Sequence, residues 1–191
     1  MRLTKSIPPI AALALLSIAS CASASQQGGL QPAAQKPAPP CQEPLFRQFD
    51  FWAGDWDVFN QKGDKIGENK ITIEEYGCLL VEHWVSPNGI TGQSYNYVDL
   101  SDRRWRQVWV AGGGTIDYKG GLDDEGSMVL DGFRAPPSGS LVPYRGMWTP
   151  NEDGTVTQRF FIKSADGEEW TEAFNGTYRR KPAAEPESAA K

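Results

Sequence analysis

Turn signals recur along this chain at short, regular intervals and leave room only for strands between them. They stand at Lys62-Gly63-Asp64, Pro87-Asn88-Gly89, Ser101-Asp102, Gly112-Gly113-Gly114, Asp124-Glu125-Gly126, Pro136-Pro137-Ser138-Gly139, Asp153-Gly154 and Asp166-Gly167. Each pre-sets a backbone bend through proline, or through a residue that tolerates positive φ. The runs between them are Ile66–Glu74, Cys78–Ser86, Ile90–Leu100, Arg104–Ala111, Thr115–Leu122, Met128–Arg134, Leu141–Thr149, Thr155–Ser164 and Glu169–Arg179. They are rich in β-branched and aromatic residues, and no amphipathic helix of useful length interrupts them. With an opening strand through Trp56 this makes about ten strands joined by hairpins. A Greek-key sandwich needs longer crossing connections. The pattern therefore predicts an all-β fold, an up-and-down antiparallel β-barrel, whose closure also removes exposed edges.

Phe49-Asp50-Phe51-Trp52-Ala53-Gly54-Asp55-Trp56-Asp57-Val58 is the first strongly aromatic segment after the leader region. Period-2 alternation puts Trp52, Gly54, Trp56 and Val58 on one face and Phe49, Phe51 and Ala53 on the other. A strand apolar on both faces near its start is expected at the closed end of a small barrel. Gly54 leaves space there for another group to lie against the chain. Burying one Trp removes roughly 150–250 Å² from water, a stabilisation of at most roughly 4–6 kcal/mol.

The flanks read differently. Arg2 and Lys5 precede a short apolar stretch, Ile10 to Ile18, which is a leader too short to span a bilayer. Ala22-Ser23-Ala24 fits an ordinary secretory cleavage site, while Ile18-Ala19-Ser20-Cys21 resembles a lipoprotein box that would make Cys21 a lipidated N-terminus. Either route predicts a periplasmic or secreted protein, with the membrane reached only through an N-terminal lipid anchor. Residues 1–24 are thus a leader, 25–40 a Gln/Pro/Ala/Gly tether, 41–180 the barrel and 181–191 a tail of similar character. In an oxidising compartment Cys41 and Cys78 are expected to form a disulfide, the alternative being two separate buried thiols. A loop of that length, closed, stabilises by about 4 kcal/mol in a chain-entropy treatment. A net charge of −5 and pI near 5.0 argue against nucleic-acid or anionic-membrane surfaces.

Alternation also selects the interior. Arg104 and Arg106 must face water, so Trp105, Gln107 and Trp109 point inward. The same reasoning turns Leu80, Glu82 and Trp84 inward, although Leu79, Val81 and Val85 are nearly as apolar. An inward Glu82 needs a partner or a raised pKa. Arg145 is the expected cation, with Arg134 second, and Ser94, Asn96 and Gln107 complete the hydrogen bonding. Such a set makes either an aromatic-walled cavity with a few convergent polar groups or a structural polar network in a filled barrel. His83 falls on the outer face. The sequence has no nucleophile elbow, no phosphate-type glycine loop and no zinc spacing, so neither metal nor cofactor is expected.

The motif Phe-Asp-Phe-Trp-x-Gly-x-Trp at Phe49–Trp56 resembles the opening of a family of exported bacterial domains of unknown function. Gly77-Cys78 with Glu82 and Trp84, Gly92-x-Ser94-x-Asn96, Trp105-x-Gln107-x-Trp109, and Ser164-x-Asp166-Gly167 followed by Trp170 extend the resemblance over nearly the whole domain. More remotely, Gly54-x-Trp56 and an arginine of the last strand, Arg179 or Arg180, are similar to the lipocalin and fatty-acid-binding group. That resemblance implies an arginine packed over the tryptophan at the closed end. The expected function is an exported lipocalin-like barrel binding a small, partly apolar ligand through Glu82, Trp84, Ser94, Asn96, Trp105, Gln107, Trp109 and Arg145. An enzyme using Glu82 as base and Arg145 against developing negative charge is the alternative, and a filled structural or interaction barrel is a third.

Overall fold

The computed structural model describes residues 38–164 and 167–182. The expected leader with Cys21, the expected tether up to residue 37, residues 165 and 166, and the expected tail from residue 183 lie outside the described residues.

Ten strands form one closed antiparallel barrel: β1 (Gly54–Asn60), β2 (Lys65–Glu74), β3 (Leu79–Val85), β4 (Thr91–Asp99), β5 (Arg104–Ala111), β6 (Gly114–Leu122), β7 (Met128–Ala135), β8 (Val142–Pro150), β9 (Val156–Lys163) and β10 (Trp170–Arg180). Each strand pairs with its neighbours in sequence, and β1 pairs with β10 to close the ring. The turn signals account for the hairpins. In the β3–β4 link the Ser86 amide donates to the Ile90 carbonyl (2.9 Å) and the Gly89 amide to the Ser86 carbonyl (2.9 Å). Gly89 takes φ 79°, the left-handed position that ends a three-residue hairpin loop. The same arrangement recurs at Asn60–Asp64, Asp123–Ser127 and Asn151–Thr155.

The opening stretch differs from the expected strand. Pro44–Arg47 and Asp50–Trp52 are short 3-10 turns, and β1 starts only at Gly54. Phe49 and Trp52 are fully buried and stack on one another at 5.0 Å, with Phe49 edge-on to Trp105 (5.7 Å) and Trp148 (5.3 Å). The segment is a plug inserted into one end of the barrel. Its turns bury Phe46, Phe49 and Trp52 and leave Phe51 half-buried, so aromatic residues from both notional faces meet the interior without forming a strand. Trp56 and Val58, in the strand proper, do face inward as alternation requires.

Three contacts hold the plug. The Trp56 indole Nε1 donates to the Trp52 carbonyl (2.9 Å). The Arg180 guanidinium lies 4.2 Å over the Trp56 ring and donates through Nη1 to the Ala53 carbonyl (3.1 Å). Gly54 makes this possible, because a Cβ there would sit 2.3 Å from Arg180 Nη1 and the backbone φ is 147°. Of the two candidate arginines it is Arg180 that covers Trp56, while Arg179 lies over Phe59 (4.6 Å) on the outside. Finally, Cys41 and Cys78 are disulfide-bonded, with Cα atoms 5.1 Å apart, tying the plug to the turn before β3.

Candidate functional site

The plug fills one end of the barrel; towards the other end the interior opens into a cavity of about 320 Å³. Glu82, Gln107, Tyr118, Gln158 and Tyr178 make its polar side. Trp84, Trp109, Ile116, Tyr144, Phe160 and Phe174 make its apolar side, and Arg134 completes the lining. A second hollow of about 220 Å³ shares Trp84, Trp109, Ile116 and Arg134 and reaches the hairpin residues Ile90 and Gly113. Those four shared residues therefore mark the mouth.

Local sequence explains why this half stays open. Trp84 lies flat across Gly67 of β2, where a Cβ would come within 2.3 Å of the ring. Trp109 lies in the same way across Gly92 of β4, with a Cβ at 2.2 Å. A glycine on the neighbouring strand lets each indole lean against the wall instead of projecting into the lumen. Either glycine replaced by a larger residue would push a tryptophan into the cavity.

Below the mouth, buried polar side chains join into a belt. Both Glu82 oxygens accept hydrogen bonds, one from Asn69 Nδ2 (2.6 Å) and one from Ser94 Oγ (2.6 Å). Asn96 Nδ2 donates to Ser94 Oγ (2.9 Å), Gln107 Nε2 donates to Asn96 Oδ1, and the Tyr118 hydroxyl donates to Gln107 Oε1 (2.5 Å). On the other side Asn69 Nδ2 reaches the Tyr178 hydroxyl (3.0 Å), which donates to Gln158 Oε1 (2.7 Å). The chain runs Tyr118–Gln107–Asn96–Ser94–Glu82–Asn69–Tyr178–Gln158, across β6, β5, β4, β3, β2, β10 and β9. Partners on neighbouring strands meet because each is an inward residue at the facing register, as in Asn96 opposite Gln107 and Gln107 opposite Tyr118.

Burial dominates the electrostatics of this belt. It pushes the Glu82 carboxyl up to about 7, against the hydrogen bonds from Ser94 and Asn69, which favour the charged form. Tyr118 and Tyr178 are held well above the usual phenol range by burial and by the neighbouring Glu82 charge. Tyr144 is pushed up to about 12 by burial, with the positive charge of Arg134 acting the other way.

The residues singled out in the sequence fall into four groups. Glu82, Trp84, Gln107 and Trp109 line the cavity as expected. Ser94 and Asn96 are fully buried behind it, where they support Glu82 and Gln107. Trp105 faces inward but belongs to the plugged end: its Nε1 donates to the Leu45 carbonyl (3.1 Å) and its ring meets Phe49. Arg145 is the clear correction. It sits on the outer face, paired with Asp131 (2.6 Å) and lying over the Trp170 ring (4.7 Å). Its neighbours Tyr144 and Gly146 take the inward positions of β8, so parity places Arg145 outside. Asn69, Tyr118, Gln158 and Tyr178 escape that reading, yet each shares the inward face of its strand with a residue two positions away: Ile71, Ile116, Phe160 and Gly176. His83 is exposed on the outer face. A scan against models of known protein families finds no match to this chain, and a search of curated proteins finds none either.

Proposed function

We propose that this chain is an exported, lipocalin-like binding protein that takes a small, partly apolar ligand into the aromatic-walled half of its barrel. The observation that carries the reading is the division of the interior. One end is packed solid by Phe49, Trp52, Trp105 and Trp148, while the other holds a cavity of about 320 Å³. Sites for small organic molecules run from about 300 Å³ upward and combine apolar walls with a few placed polar groups. The polar belt supplies such groups at the inner end, and two indoles supply flat contact surface at the mouth. Arg180 over Trp56 supports the lipocalin-like assignment, and the disulfide supports export to an oxidising compartment. The enzymatic alternative loses its proposed cation, because Arg145 lies on the outer face paired with Asp131.

Native mass spectrometry of the protein taken from its own host tests the reading. The expected spectrum contains a small-molecule adduct that is present for the wild type and depleted for Gly92→Val, in which Trp109 is forced into the lumen. An adduct retained undiminished by that variant would place the ligand elsewhere and end the proposal.

A further inference from the structure

Among the described residues Arg134 is the only cation that lines the cavity, and no carboxylate of theirs pairs with it. That sets it apart from the cations on the neighbouring outer faces. Arg106 is paired with Asp117, Lys119 with Asp99 and Asp102, and Arg145 with Asp131. Arg134 is half-buried on the inward side of β7, continuing the series Met128, Leu130, Gly132. Its charge is felt by the Tyr144 phenol beside it. It does not act on Glu82, whose surroundings are the Ser94 and Asn69 donors.

The rest of the lining is poor in free acceptors for a guanidinium. Gln158 spends its carbonyl oxygen on Tyr178 and Gln107 spends its own on Tyr118. Both Glu82 oxygens are occupied by Asn69 and Ser94. The cavity thus presents unpaired donors, the Arg134 guanidinium at the mouth and the Gln158 amide deeper in, around an aromatic middle. A half-buried guanidinium without a counter-ion calls for an anion from outside, since hydrogen bonds to charged groups are the strong ones.

Resting on the binding reading above, we infer that the ligand is an organic monoanion with a ring-sized apolar body, its anionic group seated on Arg134 beside Tyr144 at the mouth. The body lies between the Trp84 and Trp109 indoles and the Phe160 and Phe174 rings. Arg134 here is a specificity-determining residue, selecting the charged compound over a neutral one of the same shape.

Two probes with a common hydrocarbon skeleton test this: 1-anilinonaphthalene-8-sulfonate, which carries one negative charge, and N-phenyl-1-naphthylamine, which lacks the sulfonate. Affinities for both are measured by fluorescence titration of the oxidised protein. The ratio of anion to neutral affinity is expected to fall about tenfold or more in Arg134→Met, the range for losing one charge-assisted contact. Arg134→Lys should keep the ratio within about threefold, as should Lys70→Gln, a charge removal on the outer face. A ratio unchanged by Arg134→Met, with both probes still bound and both displaced in Gly92→Val, overturns the anion assignment and leaves the cavity reading intact. Probe binding indifferent to Gly92→Val overturns both.

Discussion

Glu82 is 4 % exposed and meets no cation, so its charge is held only by two neutral donors. Burial raises it from 4.5 to about 7. Between those values the folded protein keeps a proton that the unfolded chain has released. The contribution of Glu82 is therefore fullest below about pH 4.5, declines as pH rises towards 7, and stays at its low level above that. The shift corresponds to roughly 3 kcal/mol. Glu82→Gln keeps the shape and cannot ionise. Urea unfolding across about pH 5 to 9 should show the variant gaining on the wild type by roughly 2–3 kcal/mol towards the alkaline end. Parallel curves for the two proteins would mean that Glu82 does not titrate within the barrel. The residue shows both what alternation can read and what it cannot. Parity placed Glu82 inside, because its strand partners Leu80 and Trp84 share its face. The expected cation fails on the same rule of parity, since Tyr144 takes the inward position of β8 and leaves Arg145 to Asp131.

At the scale of elements, the plug and the ends of β1 and β10 form one unit. Trp56→Ala removes an indole with no solvent exposure, and a loss of roughly 3–5 kcal/mol is expected, as for large aromatic truncations in cores. Arg180→Ala should cost less, roughly 1–2 kcal/mol, from the cation–ring contact and the bond to Ala53. Arg179→Ala should be close to neutral, since that side chain covers an outer ring in contact with water. Thermal or denaturant unfolding of the three variants checks the order, and equal losses for Arg179→Ala and Arg180→Ala would contradict the packing described. The strands themselves were legible, because hairpin turns and two-residue periodicity are local signals. The plug was not. Phe49 and Trp52 are apolar whichever way they are wrapped, and a 3-10 turn inserted end-on buries them as fully as a two-faced strand would. Trp105 illustrates a related gap: alternation assigns a face but not a depth, and depth decided whether the ring met the plug or the cavity.

For the whole molecule, the closed ring was implied by the run of hairpins, whereas the half-filled interior was not. Which half stays open depends on glycines one strand away from the tryptophans they accommodate, as with Gly67 and Trp84, and such pairings need the register between strands. The ring has one join unlike the rest. Every other ladder links strands that are neighbours along the chain, but β1 meets β10 across almost the full length of the barrel sequence. Its ladder, from Trp56–Arg180 to Asn60–Gly176, is also the shortest of the ten. Loop closure across such a span carries the largest entropy cost in the fold, and contacts of that separation are the slow ones to form. The seam should accordingly be the last place to zip during folding and the first to part in the native protein, with exchange of the Asp57 and Arg179 amides, which face one another across it, running ahead of those of Asn96 and Gln107; slower exchange at the seam would contradict it. The barrel then behaves less as a rigid ring than as a sheet with a clasp, and Arg180, Trp56 and the disulfide-bound plug stand beside the clasp, where they can keep it fastened.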